Sequence, residues 1–292
     1  MPALDVHAAP LTRTPHGLPA RDRCLVIGAV NVTPDSFSDG GRFFYPDEAI
    51  ARGVEMLEAG ADAVDVGGES TRPGAPRVPE DEERRRVLPV IAELAAAGAV
   101  VSVDTMRART ADAALEAGAR VVNDVSGGLA DPAMATVVAA AGVPYVAMHW
   151  RGASADMQSR AVYADVVADV RAELRRRRDA LVAAGVDPGQ IILDPGLGFA
   201  KTAEHNWRLL AGLDALHDLG CPILIGASRK SFLGRLLADP DGKVRPVGER
   251  EHATTAVTAL AAAAGAWAVR VHEVGPSLDA VRAAAALRDA GG

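Results

Sequence analysis

The chain has 292 residues, 49% of them hydrophobic and 24% charged, the composition of a globular protein with enough apolar material for a large core. A net charge of -7 argues against nucleic acid or an anionic membrane as the main partner. The first twenty residues carry Asp5 and several prolines and no continuous apolar segment. They therefore read as neither a signal peptide nor a membrane span but as a flexible tail over 1–20, ahead of one domain over 21–292 in the cytoplasm.

Cys24 to Val30 predicts a buried strand, short, apolar and rich in branched residues, with Asn31 as its first polar side chain. The sequence PDSFSDGG that follows is too polar and too broken by Pro and Gly for anything but a surface loop. From there one phrase repeats: an alanine-rich helical stretch, a glycine, and a short apolar strand. The joining glycines are Gly60, Gly98, Gly118, Gly142, Gly185, Gly220 and Gly265, each placed as a left-handed helix C-cap. With the first strand this makes eight strands, each followed by helical sequence. Alternation of this kind with continuously apolar strands implies a parallel sheet covered on both faces, and eight units imply an α/β fold of the (β/α)8 TIM-barrel type. The rival, an open doubly wound sheet, is disfavoured because GAVNVTPDSF lacks the G-x-G-x-x-G spacing.

Other stretches carry simpler expectations. One oversized helix is expected over 159–184, and its ELRRRR run reads as a solvated face. The polar segment 237–251 is expected as a surface insertion before an alanine-rich, buried helix over 252–264. Cys24 and Cys221 each open an apolar run and are expected as buried thiols, which suits a reducing compartment.

If the barrel forms, the C-terminal ends of its strands converge on one face. Those ends carry Asn31, Asp65, Asp104, Asn123 with Asp124, His149, Asp194, Ser228 to Lys230, and Arg270 with His272. Singly, Asp104 or Asn123 is equally a helix cap, Asp65 a structural carboxylate and His149 a wall residue. Together, Asp104, Asn123 and Asp194 form a fan of acceptors and donors suited to a flat heterocycle bearing amino and ring N–H groups. Opposite them, Arg72, Lys230, Arg270 and His272 form a cationic set for phosphate or pyrophosphate. Asn31 is a neutral oxygen ligand suited to a Mg2+ that keeps most of its waters. No Ser-His-Asp set, G-x-S-x-G elbow or H-E-x-x-H occurs.

NVTPDSFSDGG at 31–41, GGESTRPGA at 67–75, VSVDT at 101–105, VVNDVSGG at 121–128, LDPGLGFAKT at 193–202, GASRKSFLG at 226–234 and RVHEV at 270–274 stand in order at suitable spacing. In this the sequence resembles the dihydropteroate synthase family, the folate-pathway enzymes that sulfonamides block, over about 25–285. The resemblance implies condensation of 6-hydroxymethyl-7,8-dihydropterin pyrophosphate with 4-aminobenzoate, releasing pyrophosphate, with Mg2+ at Asn31 and a homodimer. It implies that Asp104, Asn123, Asp194 and Lys230 hold the pterin edge, with Met148 and Phe199 near its ring, and that Arg270 and His272 hold the pyrophosphate. Thr71 and Arg72, with Phe37, Asp39 and Pro73, would come from two loops that close over the site, Asp39 and Arg72 pairing across them. Ser231, at a helix start, would receive the aminobenzoate carboxylate. Two alternatives stay open, a pterin-dependent corrinoid methyltransferase and a catalytically silent paralogue. The sequence departs from the common family pattern at Glu273 in RVHEV and at Trp150 in MHW.

Overall fold

The structure is a computed structural model that describes residues 14–33, 46–70, 77–152 and 157–291. Eight strands form: β1 (Leu25–Asn31), β2 (Ala63–Gly67), β3 (Val101–Asp104), β4 (Val121–Asp124), β5 (Tyr145–Met148), β6 (Ile191–Asp194), β7 (Leu224–Ile225) and β8 (Ala268–Val271). Every pair is parallel, in the order β6-β5-β4-β3-β2-β1-β8-β7. A parallel bridge between Leu193 and Ile223 joins the two ends, so the sheet closes into the expected (β/α)8 barrel and the open-sheet alternative falls. The surrounding helices are α1 (Pro46–Glu58), α2 (Glu80–Ala96), α3 (Ala108–Glu116), α4 (Met134–Ala141), α5 (Val166–Ala183), α6 (Ala203–Ala211), α7 (Leu213–His217), α8 (Ser231–Leu236), α9 (Glu251–Ala263) and α10 (Val274–Gly291). All seven joining glycines have positive φ, between 63° and 108°, as their C-cap role demands.

The strands are apolar on both faces for two reasons. Val26, Val64, Val103, Val122, Ala147, Ile191 and Leu193 belong to the large core between sheet and helices. Leu25, Ile27, Ala63, Val121, Val146, Ile192, Leu224 and Ala268 form a second cluster inside the barrel, with Trp267 beside them. Strand side chains alternate, so the inward face can be followed upward in steps of two. It runs from Ala63 to Asp65, from Val121 to Asn123, from Ile192 to Asp194 and from Ala268 to Arg270. The interior is apolar at its base and polar at its C-terminal mouth.

Several local expectations change. The long helix begins at Val166 and not at 159, because Asp165 caps it, accepting from the N–H of Val167 and Ala168 at 2.9 and 3.1 Å. With 18 residues it is not outsized, since α10 also has 18 and α2 has 17. The alanine-rich α9 buries only one face, through Thr254, Val257, Thr258, Ala261 and Ala262, while Leu260 is 68% exposed. Alanine is compatible with either side of a helix, so composition could not set its orientation. The insertion is exposed over 239–249, as expected, and both cysteines are buried free thiols. Of the segment expected as a tail, residues 14–20 are described: Leu18 packs on the inner cluster, and Trp267 Nε1 donates to Thr14 Oγ1 at 3.4 Å.

Candidate active site

The floor of the mouth is organised by a carboxylate that the motifs did not single out. Asp65, 1% exposed, accepts from Asn123 Nδ2 at 2.9 Å and from Arg270 Nε at 2.5 Å through the same oxygen. Arg270 Nη2 donates to Asp104 Oδ2 at 3.1 Å. Arg270 therefore does not stand across from the carboxylates, as the sequence reading placed it, but between two of them. The reason is register: Arg270 pairs with Ile27 and faces inward, so its long side chain crosses above β1 to β2 and β3. Burial disfavours the guanidinium charge, but Asp65 and Asp104 outweigh it and hold the proton more firmly than usual. Burial pushes the Asp104 carboxyl up to about 7, against the pull of Arg270. The neighbours Asn123 and Asp124 part company: Asn123 faces the mouth, whereas Asp124, fully buried, organises the next turn by accepting from Ser126, Gly128 and Tyr145.

On the other side of the mouth, Asp194 and Lys230 meet over Gly226, where a Cβ would stand 3.8 Å from both Asp194 Oδ2 and Lys230 Nζ. Asp194 Oδ1 accepts from the N–H of Gly196 at 2.6 Å. Burial raises the Asp194 carboxyl against the opposing charge of Lys230, and burial lowers the Lys230 ammonium to about 8. Lys230 donates to the carbonyl of Leu197 and lies 4.8 Å from the centre of the Phe199 ring. Met148 pairs with Asp194 across β5 and β6 and is buried beside them. Asp104, Asn123, Met148, Asp194, Phe199, Lys230 and Arg270 are thus gathered in one mouth, with anionic and cationic groups interleaved and not facing each other as two sets.

His272 follows β8, its Nδ1 2.8 Å from Ser228 Oγ. Ser228 thereby fixes the imidazole, and Arg52 Nη2 donates to the His272 carbonyl at 2.8 Å. Arg229, a non-glycine residue with φ 59°, donates to Glu273 at 2.7 Å and to Glu251 at 3.1 Å. Glu273 therefore holds that turn together through Arg229 and Arg52. Ser231 is exposed at the first position of α8, which is only six residues long, so its hydroxyl and N–H offer more than the weak dipole of so short a helix. Asn31 ends β1 beside Gly67, half-buried. Among the described residues no three acidic, histidine or cysteine side chains cluster to hold a metal. A cation at Asn31 would thus take one protein oxygen and complete its shell with water and phosphate, a donor set that Mg2+ accepts.

Phe37, Asp39, Thr71, Arg72 and Pro73 lie outside the described residues. The flanks of the second loop are firmly tied. Glu69 accepts from Arg77 Nε at 2.9 Å and from the N–H of Val78 at 3.3 Å, and Arg107 bridges Glu69, at 2.9 Å, to the buried Glu83. His149 is buried at the end of β5 and bonded to Glu173 and Lys201, a partnership no motif announced. Trp150 lines, with Met148 and His149, a cavity of about 260 Å³ between β5 and α5. The arginine run is spread over different surroundings: Arg177 packs under Gly127 and Gly128, while Arg178 donates to the carbonyl of Leu219.

Residues 27–272 match the family of pterin binding enzymes. The chain is 59% identical over 267 residues to the dihydropteroate synthase of Mycobacterium leprae, covering 91% of this chain and 94% of that one. Among solved structures, the dihydropteroate synthase of Xanthomonas albilineans with 4-aminobenzoic acid superposes with a TM-score of 0.84 at 43% identity, over 91% of this chain and 94% of that one. The same enzyme in complex with 7,8-dihydropteroate gives 0.81 at 40% identity, with the same coverage. With a polar barrel mouth of this kind and relatives this similar along nearly its whole length, the chain belongs to the pterin binding enzyme family, among the dihydropteroate synthases.

Proposed function

We infer that the protein joins 6-hydroxymethyl-7,8-dihydropterin pyrophosphate to 4-aminobenzoate, giving 7,8-dihydropteroate and pyrophosphate. The observation that carries the reading is the convergence of Asp104, Asn123, Asp194, Lys230 and Arg270 in one half-buried mouth. Carboxylates short of solvation, as the raised Asp104 and Asp194 are, gain most from the amino and ring N–H donors of a pterin. Arg270 and His272 hold the pyrophosphate. The C–O bond to it breaks with the electron pair leaving on oxygen, the cation is delocalised into the dihydropterin ring, and the arylamine lone pair then forms the new C–N bond and loses a proton. No side-chain nucleophile is needed, so the protein orients the partners, holds the leaving charge and excludes water. Asn31 would hold a Mg2+, which would supply charge neutralisation at the pyrophosphate oxygens.

The loops carrying Phe37, Asp39, Thr71, Arg72 and Pro73 are assigned to closure over the site, and the tied ends at Glu69 and Arg77 support a lid with fixed roots. Ser231 is assigned to the aminobenzoate carboxylate. The exposed Leu260 of α9 and Leu287 of α10 support a homodimer through these helices, which sedimentation would read as twice the chain mass. The two free buried thiols favour a reducing, cytoplasmic location; among the described residues no helix is long and apolar enough to cross a membrane.

The direct test is pyrophosphate release from the dihydropterin pyrophosphate. Release is expected to require both 4-aminobenzoate and Mg2+ and to stop on chelation. Binding without release would favour a silent paralogue or a methyl-transfer enzyme instead. The pH profile gives a second expectation. Asp104 carries its proton below about 7 and then cannot accept from the pterin, while Lys230 loses its charge above about 8. The kcat/KM for the pterin substrate should fall about tenfold per unit on either side of this window, and Asp104→Asn should abolish the acid limb.

A further inference from the structure

The loop after β6 carries Phe199 to the mouth, yet its backbone has little pairing of its own beyond a turn from the Phe199 N–H to the Gly196 carbonyl at 3.1 Å. Three of its residues are left-handed: Gly196 at φ 69°, Gly198 at 81° and Ala200 at 49°. Ala200 is not a glycine and is fully buried, a conformation that persists only where the surroundings over-determine it. Four consecutive carbonyls are each held by a side-chain donor. Leu197 is held by Lys230, Gly198 by Gln158 Nε2 at 3.1 Å, Phe199 by Lys201 Nζ at 3.0 Å and Ala200 by the Tyr163 hydroxyl at 3.0 Å.

Lys201 is unusual among these donors because it is 3% exposed and leads away from the mouth. Its Nζ lies 2.9 Å from His149 Nδ1, and His149 Nε2 lies 2.8 Å from Glu173 Oε2. Arg151 donates to both oxygens of Glu173, at 2.5 and 3.1 Å. The proton positions follow from the partners. Burial works against the Glu173 charge but is overcome by His149 and Arg151, which hold this carboxyl down at about 2. An ionised carboxylate only accepts, so His149 carries its hydrogen on Nε2. Burial lowers the imidazole to about 4, so it is neutral and Nδ1 offers a lone pair. Lys201 fills that lone pair and the Phe199 carbonyl with two of its hydrogens. Burial lowers this amine to about 7, and either protonation state has the two donors required.

We propose that Arg151, Glu173, His149 and Lys201 form a positioning relay that sets the Phe199 carbonyl, and through it the ring, from behind the pterin site. Lys201 is a positioning residue in this relay and touches no reacting atom. The inference rests on the assignment of Phe199 beside the pterin ring. A ring that holds the pterin alike before and during reaction contributes uniform binding, so losing the relay should raise KM for the pterin substrate and spare kcat.

The test is Lys201→Met, which keeps the stem and removes the donor. Calorimetry with 6-hydroxymethyl-7,8-dihydropterin as probe should show about tenfold weaker binding. The KM for its pyrophosphate should rise alike, with kcat within threefold and the KM for 4-aminobenzoate unchanged. His149→Leu is the second variant, since it fills much of the imidazole's volume but offers no acceptor to Lys201, while Glu173 keeps its Arg151 partner. It should shift pterin affinity in the same direction, and the double variant should be no worse than the more damaging single one. If Lys201→Met fails to fold, His149→Leu decides. Pterin affinity within twofold of the unmodified enzyme, whatever the melting temperature does, overturns the relay. An unmodified enzyme that does not bind the dihydropterin would instead overturn the reading of the site.

Discussion

Asp194→Ala is expected to lower kcat/KM for the dihydropterin pyrophosphate by about 10²–10⁴-fold while leaving the melting temperature unchanged or slightly raised. The carboxylate stands buried at the end of β6 with Lys230 alongside and one backbone N–H donating to it. Its remaining acceptor capacity is what a pterin would fill. Two charge-assisted hydrogen bonds lost at about 1.5–3 kcal/mol each give about 3–6 kcal/mol, and each 1.4 kcal/mol is tenfold. The stability expectation has the opposite sign because burial raises this carboxyl. A group whose folded pKa lies above its unfolded value contributes less to stability as pH rises past the unfolded value, so at neutral pH this carboxyl opposes folding. Removing it relieves that cost, which the loss of the Gly196 contact partly offsets. Paired kinetics and thermal melts decide the matter, and a drop smaller than tenfold would remove Asp194 from the pterin pocket.

Arg270→Met should do the reverse to stability. The guanidinium is the counter-charge of Asp65, whose side chain is 1% exposed, and of Asp104, whose side chain is 10% exposed. Its removal leaves two carboxylates in the barrel interior without a cation, a situation that costs about 3–5 kcal/mol. Chemical denaturation should show that loss, and turnover should fall with it if Arg270 holds the pyrophosphate as proposed. Adding Asp65→Asn removes one stranded charge and should recover part of the stability and none of the turnover. A double variant no more stable than Arg270→Met alone would count against Asp65 as the junction of this network. Two residues in one mouth thus have opposite effects on folding, which separates a group kept for substrate from a group that also completes the barrel.

The fold was legible because its signals are local. A glycine at each join and apolar strands of both phases are written in consecutive residues, and all seven glycines adopt the left-handed turn they announce. The strand ends were legible for the same reason, since Asp104 and Asp194 each stop an apolar run. What was not legible is what register decides. Asp65, read as a strand-end group or a structural carboxylate, sits in mid-strand, and its inward phase, two residues after Ala63, was the available clue to its place beneath Asn123 and Arg270. The interleaving of charges depends on Arg270 reaching across from β8 to β3, a separation of 166 residues. The partnership of His149 with Lys201, 52 residues apart, left no trace in either motif. Helix ends were displaced wherever a side chain such as Asp165 supplied a cap inside a stretch of helix-compatible sequence.

The pairing of β8 with β1 has a bearing on how the molecule is made. Arg270 arrives 205 residues after Asp65 and is the cation that lets that carboxylate be buried. As the chain leaves the ribosome, the earlier strands can collect against their helices, but the interior they enclose holds acids with no counter-charge. Because β8 pairs with both β1 and β7, the barrel cannot close until that last strand has emerged, and it brings the arginine with it. Synthesis and pocket assembly therefore finish together, and a chain stalled before β8 would present to quality control an unclosed sheet instead of a defective enzyme.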